Sequence, residues 1–379
     1  MSPLQRSLAN ILNLGIKELR SLWRDRLMLL FVIWAFSGAL YTAAKGAPDR
    51  LHRAPMAVVD EDQSTLSQRI VNAFYPPTFM RPTPIGLPDM DPGMDAGRYT
   101  FVMDIPPDFQ RDVLAGKSPA IQLNVDATQM SQAFLGSGYI QSIALGEVAE
   151  FMQRERTADT PLVDLALRMR FNPSLDNSWF MGAMELINNV TMLSIILTGA
   201  ALIREREHGT IEHLLVLPLK PVEIMLAKVW AMGAVVLLAT ALAVHFVLRG
   251  ALAMPVTGSI GLFMVGCALH LFATTSMGIY LGTVARSMPQ LGLLMILVLL
   301  PLEMLSGGMT PPENMPEPVR LVMLGAPTTH FVSFAQAILY RGADLSIVWP
   351  QFAAIALIGT VFFIGSLRRF RNAVSRMQS

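Results

Sequence analysis

The sequence predicts a polytopic α-helical membrane protein of six transmembrane helices with an inserted α/β extracytoplasmic domain. Three observations carry that prediction. Of 379 residues, 53% are hydrophobic and 15% charged, whereas soluble proteins carry roughly 25% charged residues. The apolar residues fall in blocks, and a block of about 20 crosses a bilayer as a helix. Lys and Arg gather at the ends of those blocks in the pattern that marks cytoplasmic loops. A net charge of +1 excludes a strongly basic nucleic-acid binder. Cys267 stands alone, so no intrachain disulfide is available, and it reads as a small buried apolar residue.

Residues 1–26 read as a cytoplasmic interfacial amphipathic helix. Leu12, Ile16 and Leu19 recur at helical spacing, with Lys17, Arg20, Arg24 and Arg26 among them. This pattern differs from the short basic leader of a signal peptide, so 27–44 is expected to be an uncleaved first span. Further spans are expected at 179–203, 224–248, 259–285, 288–306 and 346–367. Arg6, Lys17, Arg20, Arg24 and Arg26 place the N-terminus inside, and Arg368, Arg369, Arg371 and Arg376 place the tail 368–379 inside too. The number of crossings is then even. Arg204, Arg206, Lys220 and Lys228 put the linker 204–223 on the cytoplasmic side, and Arg286 marks the next cytoplasmic turn. Val319–Tyr340 is apolar, but a seventh span would carry the cationic tail outside. Pro311, Pro312, Pro316, Pro318 and Pro327 punctuate the region, so 307–345 is expected to form short re-entrant helices sheltered by protein.

The insertion 45–178 holds 12 Lys and Arg against 17 Asp and Glu, the balance of an exported domain. Strands are expected at Ala54–Asp60, Tyr99–Ile105, Ala120–Val125 and near Leu162–Phe171. Ser64 caps a helix bearing Leu66, Ile70 and Phe74; Pro106 and Pro107 open a second, which Gly116 ends; a long third runs over Gln129–Arg156. Residues 76–97, rich in Pro, Asp and Gly, are expected to be a long loop. Gly116-Lys117-Ser118 lacks the first glycine of a phosphate-binding loop, because position 111 is Arg111, and it follows a helix rather than a strand. With no nucleotide-binding motif in the chain, ATP-driven work needs another polypeptide.

The linker Arg204-Glu205-Arg206-Glu207-His208-Gly209-Thr210-Ile211-Glu212-His213-Leu214-Leu215-Val216-Leu217-Pro218 is the most informative stretch. Thr210 can cap a short helix with an Ile211, Leu214 and Leu215 strip, and Pro218 ends it. From the residues alone it reads equally as a solvated, salt-bridged connector or as a helix offered to a cytosolic partner.

Here the run REREHGTIEHLLVLPLKPVEIMLAK resembles the ABC-2 type export permeases. GTVARSMPQLGLLMILVLLPLEMLSGGMTPPENMP (282–316) and PTTHFVSFAQAILYRGADLSIVWPQF (327–352) extend the likeness, as do NLGIKELRSLWRD (13–25) and the stretch 95–134. Among these the chain is similar to the YhhJ-type inner-membrane permeases of Gram-negative bacteria. The resemblance implies an ABC-2, type V exporter-like fold, and a linker that acts as a coupling helix in a groove of the ATPase subunit. Carried over by position, Glu207, Gly209, Thr210, Glu212, Leu214, Leu215 and Pro218 make that contact. It further implies a permease subunit that is not itself an enzyme and binds no cofactor, with ATP and Mg used by separate ABC ATPase subunits. A second copy or a sister permease completes the pathway in the inner membrane, and a periplasmic adaptor and outer-membrane channel are further expected partners. The expected cargo is a hydrophobic drug- or lipid-like molecule. The rival is a mechanical transmitter that moves a periplasmic partner with nothing crossing the bilayer. A secondary transporter is disfavoured, since no internal repeat or ion site is evident.

Within the spans, Glu185, Asn188 and Asn189, with Thr191, Ser194 and Thr198 deeper, and Glu303 are candidates for lining a route. An acid inside a membrane costs about 2.5–3.5 kcal/mol on insertion scales and turns to protein or a wet cavity. Helix packing by the first group, and snorkelling to the headgroups by Glu303, are the structural alternatives. His208 and His213, five apart, do not make a helical zinc site; His245 and His270 read as packed core. The 25 Met residues suit adaptable packing. No metal or catalytic constellation is expected.

Overall fold

A computed structural model describes residues 2–46, 53–126, 130–155, 176–207, 219–310 and 312–378. It divides into two compact units, Met1–Ala47 with Met169–Ser379, and Pro48–Arg168. In chain order the elements are α1 (Pro3–Arg24), α2 (Arg26–Gly46), β1 (Met56–Asp60), α3 (Thr65–Asn72), β2 (Thr83–Pro84), α4 (Met90–Asp95), β3 (Phe101–Ile105), α5 (Phe109–Leu114), β4 (Gln122–Val125) and α6 (Met130–Glu155). They continue with α7 (Asn177–Glu207), α8 (Pro221–Ala251), α9 (Ile260–Val284), α10 (Met288–Met304), α11 (Glu317–Met323), α12 (Pro327–Leu339) and α13 (Leu345–Gln378).

The helical unit starts from local signals. Ser2 and Gln5 form a reciprocal capping box and Pro3 opens α1. Asp25 then accepts from the Met28 amide at 3.1 Å, ending one helix and capping the next. In α2 the turns widen to a π-helix over Ala35–Ala39, and the Ala35 carbonyl accepts from Asn189 Nδ2 of α7 at 2.9 Å. By length and composition α2, α7, α8, α9 and α13 can cross a membrane, and α11 with α12, bent by 82°, would make a sixth. The expected fifth span corresponds to α10, which has 17 residues and is shorter than the others. The bent α11–α12 pair lies where re-entrant helices were expected. Within the expected tail 368–379, α13 stays helical to Gln378.

Helix α7 is central: 83% of its apolar window is buried, against 17% for α13. Its seam with α9 depends on small residues. A Cβ at Gly278 would come within 2.6 Å of the Ile195 carbonyl oxygen, and Gly282, four residues on, lies against Gly199. Glycines at this spacing let two backbones approach, which strengthens dispersion where no hydrophobic drive exists. Hydroxyls finish the seam: Ser194 Oγ donates to Thr274 Oγ1 at 2.6 Å, and Thr191 Oγ1 lies 2.9 Å from His270 Nε2. Phe331 of α12 stacks on the His270 ring with centroids 4.1 Å apart.

The second unit is a four-stranded sheet ordered β2-β1-β3-β4, with β1 parallel to β2 and β3, and β3 antiparallel to β4. Phe74, Phe79 and Phe101 meet edge to face in its core, beside Leu66 and Ile70 of α3. The expected loop at 76–97 is more ordered than its composition suggests. It contributes β2 and α4, because Ile85, Met90 and Met94 cover Ala57, Val59 and Val102 on the second face of the sheet. α5 begins at Phe109 because Asp108 takes a left-handed turn (φ 62°) after the prolines. The strand expected near Leu162–Phe171 lies outside the described residues.

The seam makes a direct prediction. Gly278→Leu should destabilise the detergent-solubilised protein by about 1–3 kcal/mol or more, as overpacking does, and lower its thermal midpoint. Gly292→Ala on α10, with nothing within 4 Å of the added carbon, should leave the midpoint unchanged or raise it.

Candidate functional site

The linker 204–223 is described at its two roots. His208, Gly209, Thr210, Glu212, His213, Leu214, Leu215 and Pro218 lie outside the described residues, so the expected cap at Thr210 and the short helix lie there too. Of the expected contact residues, Glu207 is described.

At the first root, four consecutive side chains leave the end of α7 and each is held by a different neighbour. Arg204 pairs with Asp25, between α1 and α2. Glu205 pairs with Lys17 of α1 and, at 2.7 Å, with Lys228 Nζ of α8. Arg206 Nη1 donates to the Ala285 carbonyl at 2.6 Å, at the C-terminal end of α9. Glu207 Oε1 accepts from the Met288 amide at 3.0 Å, at the start of α10. The last two follow the helix dipoles, a cation at a C-terminus and an anion at an N-terminus.

Lys228 completes a quartet. Its ammonium is 3.0 Å from Glu18 Oε1 as well as 2.7 Å from Glu205, and Lys17 Nζ lies 3.3 Å from Glu18. Lys228, Glu18 and Glu205 are buried, while the Lys17 side chain remains 46% exposed. Two buried carboxylates are therefore neutralised by one buried ammonium, Lys228, and one half-exposed ammonium, Lys17. Burial acts against the charged form of Lys17, but Glu205 and then Glu18 outweigh it and raise its pKa above the usual lysine value.

The second root is tied to the same helix. Glu223 Oε2 accepts from the Lys220 amide at 3.2 Å and from Asn10 Nδ2 of α1 at 3.1 Å. Trp230 Nε1 donates to the Ile11 carbonyl at 3.1 Å, and its indole lies flat against Gly15, where a Cβ would collide with the ring. Leu14, Leu219, Ile224, Met225, Leu202, Ile279 and Phe370 close over this end in one apolar cluster. Both ends of the linker are thus fastened to one patch where α1, α7, α8, α9, α10 and α13 converge.

The residues expected to line a route are mostly closed in. Asn189, Thr191, Ser194 and Thr198 are buried within the chain, and their polar atoms bond to α2, α9 or α7 itself. Glu185 and Asn188 on α7, and Glu303 on α10, are half-buried. Glu185 Oε1 accepts from Asn189 Nδ2 at 3.2 Å, and Glu303 is close enough to Glu185 for their charges to interact.

Sequence reasoning missed the quartet as a unit. Lys17 and Lys228 were read as orientation charges, and Glu18 was not singled out. The signal was present: Lys228 sits inside an apolar run, and a buried ammonium requires acids around it.

The comparisons with known proteins fit this arrangement. The family model described as ABC-2 family transporter protein matches residues 25–368. The chain is 60% identical over 372 residues to the inner membrane transport permease YhhJ of Escherichia coli K12, covering 98% of this chain and 100% of the relative. It is 26% identical over 363 residues to the probable multidrug ABC transporter permease YbhR of the same strain, covering 94% and 97%. Over 281 residues it is 28% identical to the probable multidrug ABC transporter permease YbhS, covering 72% of each. With both roots of its charged linker anchored in the helical unit and nearly its whole length matched to such permeases, the chain belongs to the ABC-2 family of transporter proteins.

Proposed function

We propose that this chain is the permease subunit of an ATP-driven exporter in a bacterial inner membrane. It moves a hydrophobic drug- or lipid-like substrate out of the cytoplasm or the membrane. Separate ABC ATPase subunits use ATP and Mg, and a second copy or a sister permease completes the pathway. Both termini are cytoplasmic. The sheet-bearing unit stands on the periplasmic side, where an adaptor and outer-membrane channel can receive the substrate. Full-length similarity to the named inner-membrane and multidrug permeases supports this reading.

The observation that carries the mechanism is the anchoring of Arg204–Glu207. A partner that pushes on the linker pushes on four side chains gripped by α1, α8, α9 and α10. Displacement of Arg204–Glu207 therefore reaches those helices directly. Gly209, Thr210, Glu212, Leu214, Leu215 and Pro218, with Glu207, form the surface the ATPase holds. The half-buried Glu185, Asn188 and Glu303 face the route, and Asn189, Thr191, Ser194 and Thr198 support the helix that carries two of them.

Two outcomes test the reading. With the ATPase encoded beside it, the tagged permease should co-purify, and Glu212→Lys should abolish recovery of the ATPase while membrane insertion stays normal. Cells lacking the permease should accumulate ethidium, corrected by the wild type and not by Glu212→Lys; unchanged accumulation would count against export and for the mechanical transmitter. Lys228→Met should leave two buried carboxylates with Lys17 as their one shared cation and cost about 3–5 kcal/mol, the usual penalty for removing one partner of a buried pair. Adding Glu18→Gln should recover much of the thermal midpoint measured in detergent.

A further inference from the structure

Helix α1 has three faces. Gly15, Glu18 and Leu22 are buried, against α8 in the case of Gly15 and Glu18. Leu4, Leu8, Leu12 and Ile16 follow at four-residue spacing along a ridge that turns about 40° per step around the helix, and all are exposed, as is Trp23 at 75%. Arg20 and Arg24, next along that ridge, have turned onto the flank beyond the apolar residues, and they are exposed, as are Arg6 and Arg26. The charge on these outer faces is of one sign. Glu18, the only acid of α1, is committed inward to Lys228, and the following Asp25 is held by Arg204. Arg6, Arg20, Arg24 and Arg26 have no acidic partner among the described residues.

We propose that the exposed apolar ridge of α1 and the arginine flank beside it dock together on anionic phospholipid headgroups, with Arg20 and Arg24 as the headgroup-selective contacts. The apolar ridge and Trp23 enter the boundary between headgroups and acyl chains, and the arginines meet the phosphates. An apolar stripe alone would bind any bilayer surface. The one-sided charge, created by the inward use of both acids, adds preference for lipids bearing net negative charge, as it does for basic segments beside a membrane. The proposal rests on α1 lying along the bilayer surface, as in the reading above.

The test uses the full chain in lipid discs, with Leu12→Cys carrying an environment-sensitive fluorophore and the buried Cys267 unlabelled. Discs of one mixture of phosphatidylcholine and phosphatidylglycerol carry bromine quencher on the chains of one lipid or the other. The expected result is a several-fold preference for phosphatidylglycerol, about fivefold for each arginine engaged. Arg20→Gln with Arg24→Gln should bring the two lipids level while the ATPase still co-purifies. Equal quenching in the wild type, or a preference that survives the double substitution, overturns the proposal. Quenching by neither lipid would show that α1 is not at the surface, which is failure of the underlying reading. Loss of ATPase co-purification in the double variant, with lipid preference unchanged, would assign the arginines to the ATPase.

Discussion

The arrangement depends on one lysine and two glutamates removed from water together, with a second, half-exposed lysine closing the group. Taking an ion out of water costs several kcal/mol even after relaxation. Lys228 is therefore tolerable only with Glu18 and Glu205 in place, and Glu205 only while Lys17 and Lys228 flank it. Those residues come from α1, α7 and α8, so satisfying the charges fixes three helices against one another. Arg206 and Glu207 extend the constraint to the end of α9 and the start of α10. The linker leaves this patch and returns to it.

The α7–α9 pair forms the stiff body on which that patch acts. Glycine-mediated approach at Gly278 and Gly282, with hydroxyls bonded across the seam, leaves little room for sliding. The buried Asn189, Thr191, Ser194 and Thr198 are part of that stiffness. A polar group sealed in a helical bundle tightens it when its partner is fixed.

Much of the fold was legible because bilayer length and charge placement leave strong marks on sequence. The apolar blocks, the helix over Gln129–Arg156 and the strands at Ala54–Asp60, Tyr99–Ile105 and Ala120–Val125 each meet an element of their kind. Residues 76–97 were misread because Pro, Gly and Asp signal turns locally, whereas Ile85, Met90 and Met94 are ordered by the sheet they cover. The linker was found by pattern, but its anchoring was hidden. Arg204-Glu205-Arg206-Glu207 looks like a solvated charge run, and only the fold reveals that partners lie as far away in sequence as Lys17, Asp25, Ala285 and Met288. Ion pairs between distant segments leave no periodicity to detect.

Helix α10 has a consequence for the lipid around it. Seventeen residues rise about 25 Å, whereas the hydrocarbon core is about 30 Å thick. If α10 crosses alone, the bilayer beside it thins or its flanking residues reach out to the headgroups. Where it thins, an amphiphile exported as proposed would meet its shortest climb.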